Sequence, residues 1–365
     1  MSPMMRRAAL VLLAASASAL QPPLRTLPRG APVYLLRRPR HCAPSALAGP
    51  LGTALAGRLA VPMLAALSIV PCSLCFVRQA YVFSLSYGLS MVAIGGAYLA
   101  AAPAGSAIVR LHASLILAYG ARLYAFLLWR QAFQKGSGWE NKIANLDKSP
   151  RAERLPLVLN TALFYALLAS PLAFHAQAAP LTSAAARYVG WAGGALASVG
   201  LAIEGVADQQ KSLFKIRLRN SGAADRPCTS GLFGFSRHAN YLGEGSFAAQ
   251  SQPTWQSRRC PARARRRPIR QMLYPHTAGE ILFWLGSVVM GLPAIASSST
   301  WTALAARSVC ALLGTSGIVF IMKSATARLE KRQEENAASV WPVIGADGEF
   351  DSYAKYVERT RPLLF

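Results

Sequence analysis

Seven apolar stretches, each of about twenty residues and almost free of charge, constrain this chain more than any other feature. They lie at Leu59–Phe76, Ala80–Ala101, Ser106–Leu128, Leu155–Ala176, Ala185–Val206, Glu280–Ser298 and Thr302–Met322. Each is long enough to cross the hydrocarbon core of a bilayer as an α-helix. A helix satisfies its own backbone polar groups there, where water cannot. The fold class that follows is all-α: a polytopic transmembrane helical bundle of about six to seven spans. The first span is the weakest, because Pro62 and Pro71 interrupt it. Composition agrees. Of 365 residues 53% are hydrophobic and only 15% charged, where a soluble chain carries about a quarter charged. Mean hydropathy is +0.29.

The net charge of +24 has two readings, nucleic-acid binding or membrane topology. The basic residues avoid the apolar stretches, which favours topology and leaves no nucleic-acid partner. The loop after the third span carries Arg130, Lys135, Lys142, Lys148, Arg151 and Arg154. The loop after the fifth is more basic still, and the tail after the seventh holds Lys323, Arg328, Lys331 and Arg332. The loops after the second and fourth spans are nearly uncharged. Alternation therefore gathers every basic loop on one side, as the positive-inside rule requires.

Residues 1–45 read as a targeting segment outside the fold, with the helical membrane domain occupying 46–365. Arg6 and Arg7 precede an apolar run, and Ala15-Ser16-Ala17-Ser18-Ala19 is a small-residue exit, as in a signal peptide. The Arg- and Pro-rich continuation to Arg40 contains no acid. It fits a transit peptide behind a signal peptide, or a basic linker behind a signal or anchor, so the destination is a plastid or endoplasmic reticulum membrane. Cys72 and Cys75 form a CxxC inside an apolar span, without a second pair at metal spacing. They read as packing residues, and no metal site is expected.

Ionisable groups within spans are costly and face a partner or a cavity. Arg122 lies two turns before the basic end of the third span, with Tyr124 beside it. Glu204, Asp208 and Lys211 share one face at the basic end of the fifth. Arg122 and Glu204 stand at similar depth with opposite charge. They either form an ion pair or line a polar pocket open to the basic side. Arg110 and His112 lie near the other end of the third span, where Arg110 can reach the interface and His112 is not read as functional.

The segment after the fifth span concentrates binding chemistry. Asp208-Gln209-Gln210-Lys211-Ser212-Leu213-Phe214-Lys215 is followed by a turn and then by Gly231 to Glu244, which contains Ser236-Arg237-His238-Ala239-Asn240-Tyr241-Leu242-Gly243-Glu244. Lys211, Lys215 and Arg237 can neutralise phosphates. His238 and Asn240 hydrogen-bond in both senses, Tyr241 and Phe233 offer stacking faces, and the glycines permit close backbone approach. The set suits a phosphorylated, aromatic-headed cofactor at the membrane surface, or an ordinary interfacial loop with basic and aromatic anchors.

The Ser-Arg-His-x-Asn-Tyr-x-Gly-Glu string with its upstream Asp-x-x-Lys-x-x-Phe resembles the steroid 5α-reductase C-terminal-type family, including its DUF1295 branch. The resemblance extends over roughly 110–365, where Glu330, Lys331, Arg332, Tyr353, Tyr356, Thr360 and Pro362 resemble the family's closing pattern. It implies a helical membrane reductase using NADPH to reduce an electron-poor C=C bond in a steroid-like or other lipid enone. By motif position it implies that Lys211, Lys215, Arg237, His238, Asn240, Tyr241, Glu244, Tyr353 and Tyr356 bind the cofactor. Tyr124 and Glu204 are the candidate proton donors. Isoprenylcysteine carboxyl methyltransferases carry a related Arg-His string, so an S-adenosylmethionine-dependent methyltransferase is the alternative. A non-catalytic protein on the same scaffold is a third reading.

Two departures stand out. Ala239 replaces the family's proline, and residues 245–280 read as a foreign insertion. That stretch holds Arg258, Arg259, Arg263, Arg265, Arg266, Arg267 and Arg270 and shows no helical period. Gly-Glu occurs at both of its junctions, and excision joins Glu244 to Ile281 in one continuous helix. A translated intron is the preferred reading, a lineage-specific loop the other.

Overall fold

A computed structural model describes residues 60–102, 106–133, 147, 149–178, 183–222, 228, 230–235 and 275–344. Among these there is no strand, and the architecture is an all-α helical bundle. The seven long helices are α1 (Ala60–Cys72), α2 (Leu85–Ala101), α3 (Ala107–Phe133), α4 (Leu155–Gln177), α5 (Ala184–Asn220), α6 (Pro275–Ala296) and α7 (Trp301–Ile344). A single helical turn covers Leu232–Phe235. Within α3–α7, five stretches are long and apolar enough to cross a membrane. The helical stretches Ala60–Phe76 and Leu85–Ala101 are apolar but shorter. The protein is thus an integral, multi-pass membrane protein. Residues 1–59, which include the targeting segment, and 236–274, with most of the insertion, lie outside the described residues.

The second apolar stretch departs from expectation at its start. Regular helix begins at Leu85, not Ala80, and Gln79–Phe83 forms a tight 3₁₀ turn. Irregular backbone at this depth survives only when buried in protein. That condition is met: Ala80 and Val82 are buried, and the Tyr165 hydroxyl donates to the Val82 carbonyl at 2.7 Å. Ser86 Oγ donates to the Pro71 carbonyl at 2.7 Å, supporting α1 near its interior proline. The fifth span also outruns its expected end. α5 continues for 37 residues to Asn220 and finishes on Arg217 and Arg219, cations that complement the negative end of a helix dipole. At 1.5 Å per residue it is about 55 Å long, so its last turns leave the hydrocarbon.

Small residues set how closely the helices approach, since lipid supplies no hydrophobic drive between them. α5 crosses α6 through Gly193, Ala197 and Gly200 on one side and Gly279 and Gly286 on the other. A Cβ on Gly200 would lie 2.5 Å from the Gly279 carbonyl oxygen, and one on Gly286 2.5 Å from the Ala197 nitrogen. α2 and α3 meet in the same way, Gly95 against Leu117 and Gly120 against Gly88. The main core runs between these pairs and includes Leu64, Met91, Ile94, Ile116, Leu123 and Phe283. Cys72 and Cys75 are free thiols within it, as the packing reading expects.

Candidate functional site

A polar cluster is built into the bundle where α3, α5 and α6 meet at the end carrying the basic loops. Arg122 on α3 is its cation. Its Nη1 donates to Asp208 Oδ2 at 2.8 Å, and its Nη2 forms a second ion pair with Glu204 Oε1. The two acids are one helical turn apart on α5, so a single forked guanidinium can engage both. Each acid side chain is only 2% exposed. The expected Arg122–Glu204 ion pair is present, and Asp208 enlarges it.

Beneath them lies a third acid. Glu280 sits near the start of α6, 1% exposed. Its Oε1 accepts from the hydroxyls of Tyr87 at 3.0 Å and Tyr119 at 2.9 Å. Trp284 Nε1 donates to the Tyr87 oxygen at 2.9 Å. Tyr119 also lies 3.1 Å from Tyr87 Oη, and its one proton serves either neighbour. Aromatic packing fixes these rings: Tyr119 stacks on Phe283 at 4.4 Å, and Tyr87 on Tyr165 at 5.1 Å. Arg122 closes the gap between the groups, its guanidinium carbon 6.0 Å from the Tyr119 ring centre.

Gly279 brings the two acids together. A Cβ there would lie 2.9 Å from the Glu204 nitrogen, so α6 can set Glu280 beside Glu204 only with glycine at this position. Glu204 Oε2, Glu280 Oε2 and Arg122 Nε are buried and have no hydrogen-bond partner among the described residues. The cluster therefore retains hydrogen-bonding capacity that its own described groups do not use.

The cofactor-motif residues divide in two. Lys211 and Lys215 are half-buried on the emerging end of α5, and Lys211 is within electrostatic reach of Asp208. The chain then folds back on α5. Gly231 takes φ +65°, the Leu232 amide donates to Gln210 Oε1 at 3.1 Å, and buried Phe233 packs with Ala207 and Cys228. The turn Gly231–Phe235 is thus seated on α5 at Ala207 and Gln210. Lys211 and Lys215 are the described members of the cofactor set that the resemblance implies. Arg237, His238, Asn240, Tyr241, Glu244, Tyr353 and Tyr356 lie outside the described residues. Tyr124 is half-buried and packs toward Gly88. Two residues from Arg122, it points to roughly the opposite side of α3.

Sequence reasoning singled out neither Tyr87 nor Tyr119, and it treated Glu280 as the edge of the insertion. Tyr119 was findable: it lies three residues before Arg122, on the same helix face. Tyr87 carried no such signal.

A second polar group lies toward the opposite end of the bundle. His112 Nε2 is 2.8 Å from Ser287 Oγ, and its Nδ1 is 3.2 Å from His175 Nδ1. His112 is thus a core histidine with two partners.

The fold and the cluster define a class: a multi-pass helical membrane protein with buried acids at its basic end. Residues 78–248 match the family described as "Protein of unknown function (DUF1295)", which bears out the DUF1295 resemblance; the match begins before residue 110 and does not extend to the C-terminal tail. No curated protein and no solved structure matches the chain.

Proposed function

We propose that this protein is a membrane-embedded, NADPH-dependent reductase of the C=C bond in a steroid-like or other lipid enone, resident in an endoplasmic reticulum or plastid membrane. The observation that carries the reading is the juxtaposition at one end of the bundle. Lys211 and Lys215 lie at the surface there, while carboxyl and phenol groups lie one to two turns deeper. Reduction of an enone takes a hydride at the β-carbon and a proton at the α-carbon. The electron-poor character of the bond rises when its carbonyl accepts a hydrogen bond. NADPH supplies the hydride when bound.

This chain's own residues have distinct parts in that scheme. Lys211, Lys215 and Arg237 neutralise the cofactor phosphates, and His238, Asn240 and Tyr241 orient its head. Arg122 holds Glu204 and Asp208 in place. The proton comes from the acidic groups at this end: Glu204 and Tyr124 are the candidates from sequence, and Tyr119 and Glu280 lie by Glu204, on the side of α3 away from Tyr124. The lipid substrate enters from the bilayer, since the bundle presents apolar faces such as Leu312, Leu313 and Phe320 to its surroundings.

Titration of the detergent-purified protein with NADPH tests the reading. Saturable binding that Arg237→Ala abolishes is the expected result. Tight S-adenosylmethionine binding without NADPH binding would overturn it in favour of a methyltransferase.

A further inference from the structure

The Gly-Glu pair that ends the Ser-Arg-His-x-Asn-Tyr-x-Gly-Glu string occurs twice, at Gly243-Glu244 and at Gly279-Glu280. Only the second leads directly into an apolar helix, Ile281-Leu282-Phe283-Trp284. The correspondence reaches further back. Pro275 stands five residues before Glu280, as Ala239 stands five residues before Glu244. The resembled family has proline at this place. Pro275 is also the first residue of α6, the helical position that proline tolerates best.

The core uses both residues of the second pair. Gly279 lets α6 touch the backbone of α5 at Gly200 and Glu204. Glu280 is the shared acceptor for Tyr87 and Tyr119, and its Oε2 is buried without a partner among the described residues. No other residue type could replace this glycine without moving a backbone. An apolar residue in place of Glu280 would strand the buried Tyr87 hydroxyl proton, while Tyr119 would keep Tyr87 Oη as its acceptor.

We infer that Gly279-Glu280 fills the structural place of the string's final Gly-Glu, and that Glu244–Gly279 is a separable insertion whose removal leaves the bundle intact. Excision of Glu244–Gly279 and excision of Gly245–Glu280 give the same chain, so the deleted protein still enters its helix as Gly-Glu-Ile-Leu-Phe-Trp. Every contact of Gly279 and Glu280 described above has its donor or acceptor in that chain. The inference holds whichever cofactor the protein binds, and its test uses no cofactor.

The test compares thermal midpoints in detergent. In the full chain, Glu280→Ala lowers the midpoint by roughly 2 °C or more, by taking the acceptor from the buried Tyr87 hydroxyl. Glu244→Ala leaves it within about 1 °C. The chain lacking Glu244–Gly279 elutes as a monodisperse species with a midpoint within about 2 °C of the full chain. Glu280→Ala in that shortened background then reproduces the loss seen in the full chain. Equal losses from Glu244→Ala and Glu280→Ala in the full chain would overturn the inference. So would a shortened chain that only aggregates, or one indifferent to Glu280→Ala.

Discussion

Arg122→Met measures how far the cluster depends on its one bridging cation. The substitution keeps the length and apolar stem of the side chain and removes the guanidinium. Glu204 and Asp208, each 2% exposed, lose the fork that holds them. Breaking a buried ion pair from one side costs about 3–5 kcal/mol, because a charge is left buried without compensation. The low end applies here. The Arg122 side chain is 22% exposed, so water reaches the site, and Lys211 remains within electrostatic reach of Asp208. A loss of about 3 kcal/mol lowers the thermal midpoint of a chain this size by about 4 °C, since the shift per kcal/mol shrinks as a chain lengthens. The assay is thermal unfolding in detergent, followed by tryptophan emission. The triple variant Arg122→Met, Glu204→Gln, Asp208→Asn removes all three charges and keeps their volumes. It should recover at least half of the loss, since the penalty lies in unpaired charge and not in missing contacts. An Arg122→Met midpoint within about 1 °C of wild type would refute the reasoning. A triple variant no better than the single would refute it too.

Two further outcomes follow from the packing. Gly286→Leu should cost about 1–3 kcal/mol, because even its Cβ would fall 2.5 Å from the Ala197 nitrogen, whereas Gly96→Ala, with nothing within 4 Å, should leave the thermal midpoint unchanged. His112→Ala and Ser287→Ala, bonded at 2.8 Å, should couple by about 0.5–2 kcal/mol in a double-mutant cycle on unfolding free energy, and additive losses would deny that the bond contributes.

The helices were legible because hydrocarbon length and backbone satisfaction leave a chain few options. All seven apolar stretches form helix, and the differences sit where a local rule yielded to packing. Gln79–Phe83 is apolar enough to extend α2, yet Tyr165 and the surrounding core stabilise a tighter turn there. The Arg122–Glu204 pair was legible because opposite charges at one depth in apolar spans have few ways to be satisfied. Tyr87 and Tyr119 were not, since a tyrosine in a span looks like an interfacial or core aromatic until its hydroxyl's partner is known. Glu280 was hidden by its neighbourhood. It borders an Arg-rich stretch of foreign composition, and that contrast assigned it to the insertion. The packing of Gly279 on α5 and the two phenols on Glu280 return it to the bundle.

The polar contacts also bear on how the chain is threaded. Asp147 accepts from the Gln79 amide at 2.5 Å and pairs with Arg154 at 3.4 Å, and Arg154 donates to the Cys75 carbonyl at 2.9 Å. The connection between α1 and α2 is thus tied to the segment just before α4. Arg122, Glu204 and Glu280 tie the late part of α3 to α5 and to the start of α6. Arg307 near the start of α7 donates to Gln177 Oε1 at 3.1 Å and to the Ala294 carbonyl at 3.0 Å, joining the ends of α4 and α6. Each tie links segments that up-and-down alternation places on the same side. The alternation first read from loop charge thus has a second, independent support in side-chain geometry. It also gives the basic end a two-layer electrostatic structure. Lysines and arginines at the surface attract a polyanion from solution. The acids below, at most 2% exposed, lie among tyrosines, tryptophan and phenylalanine, where their interactions with Arg122 and the phenols are stronger than in water.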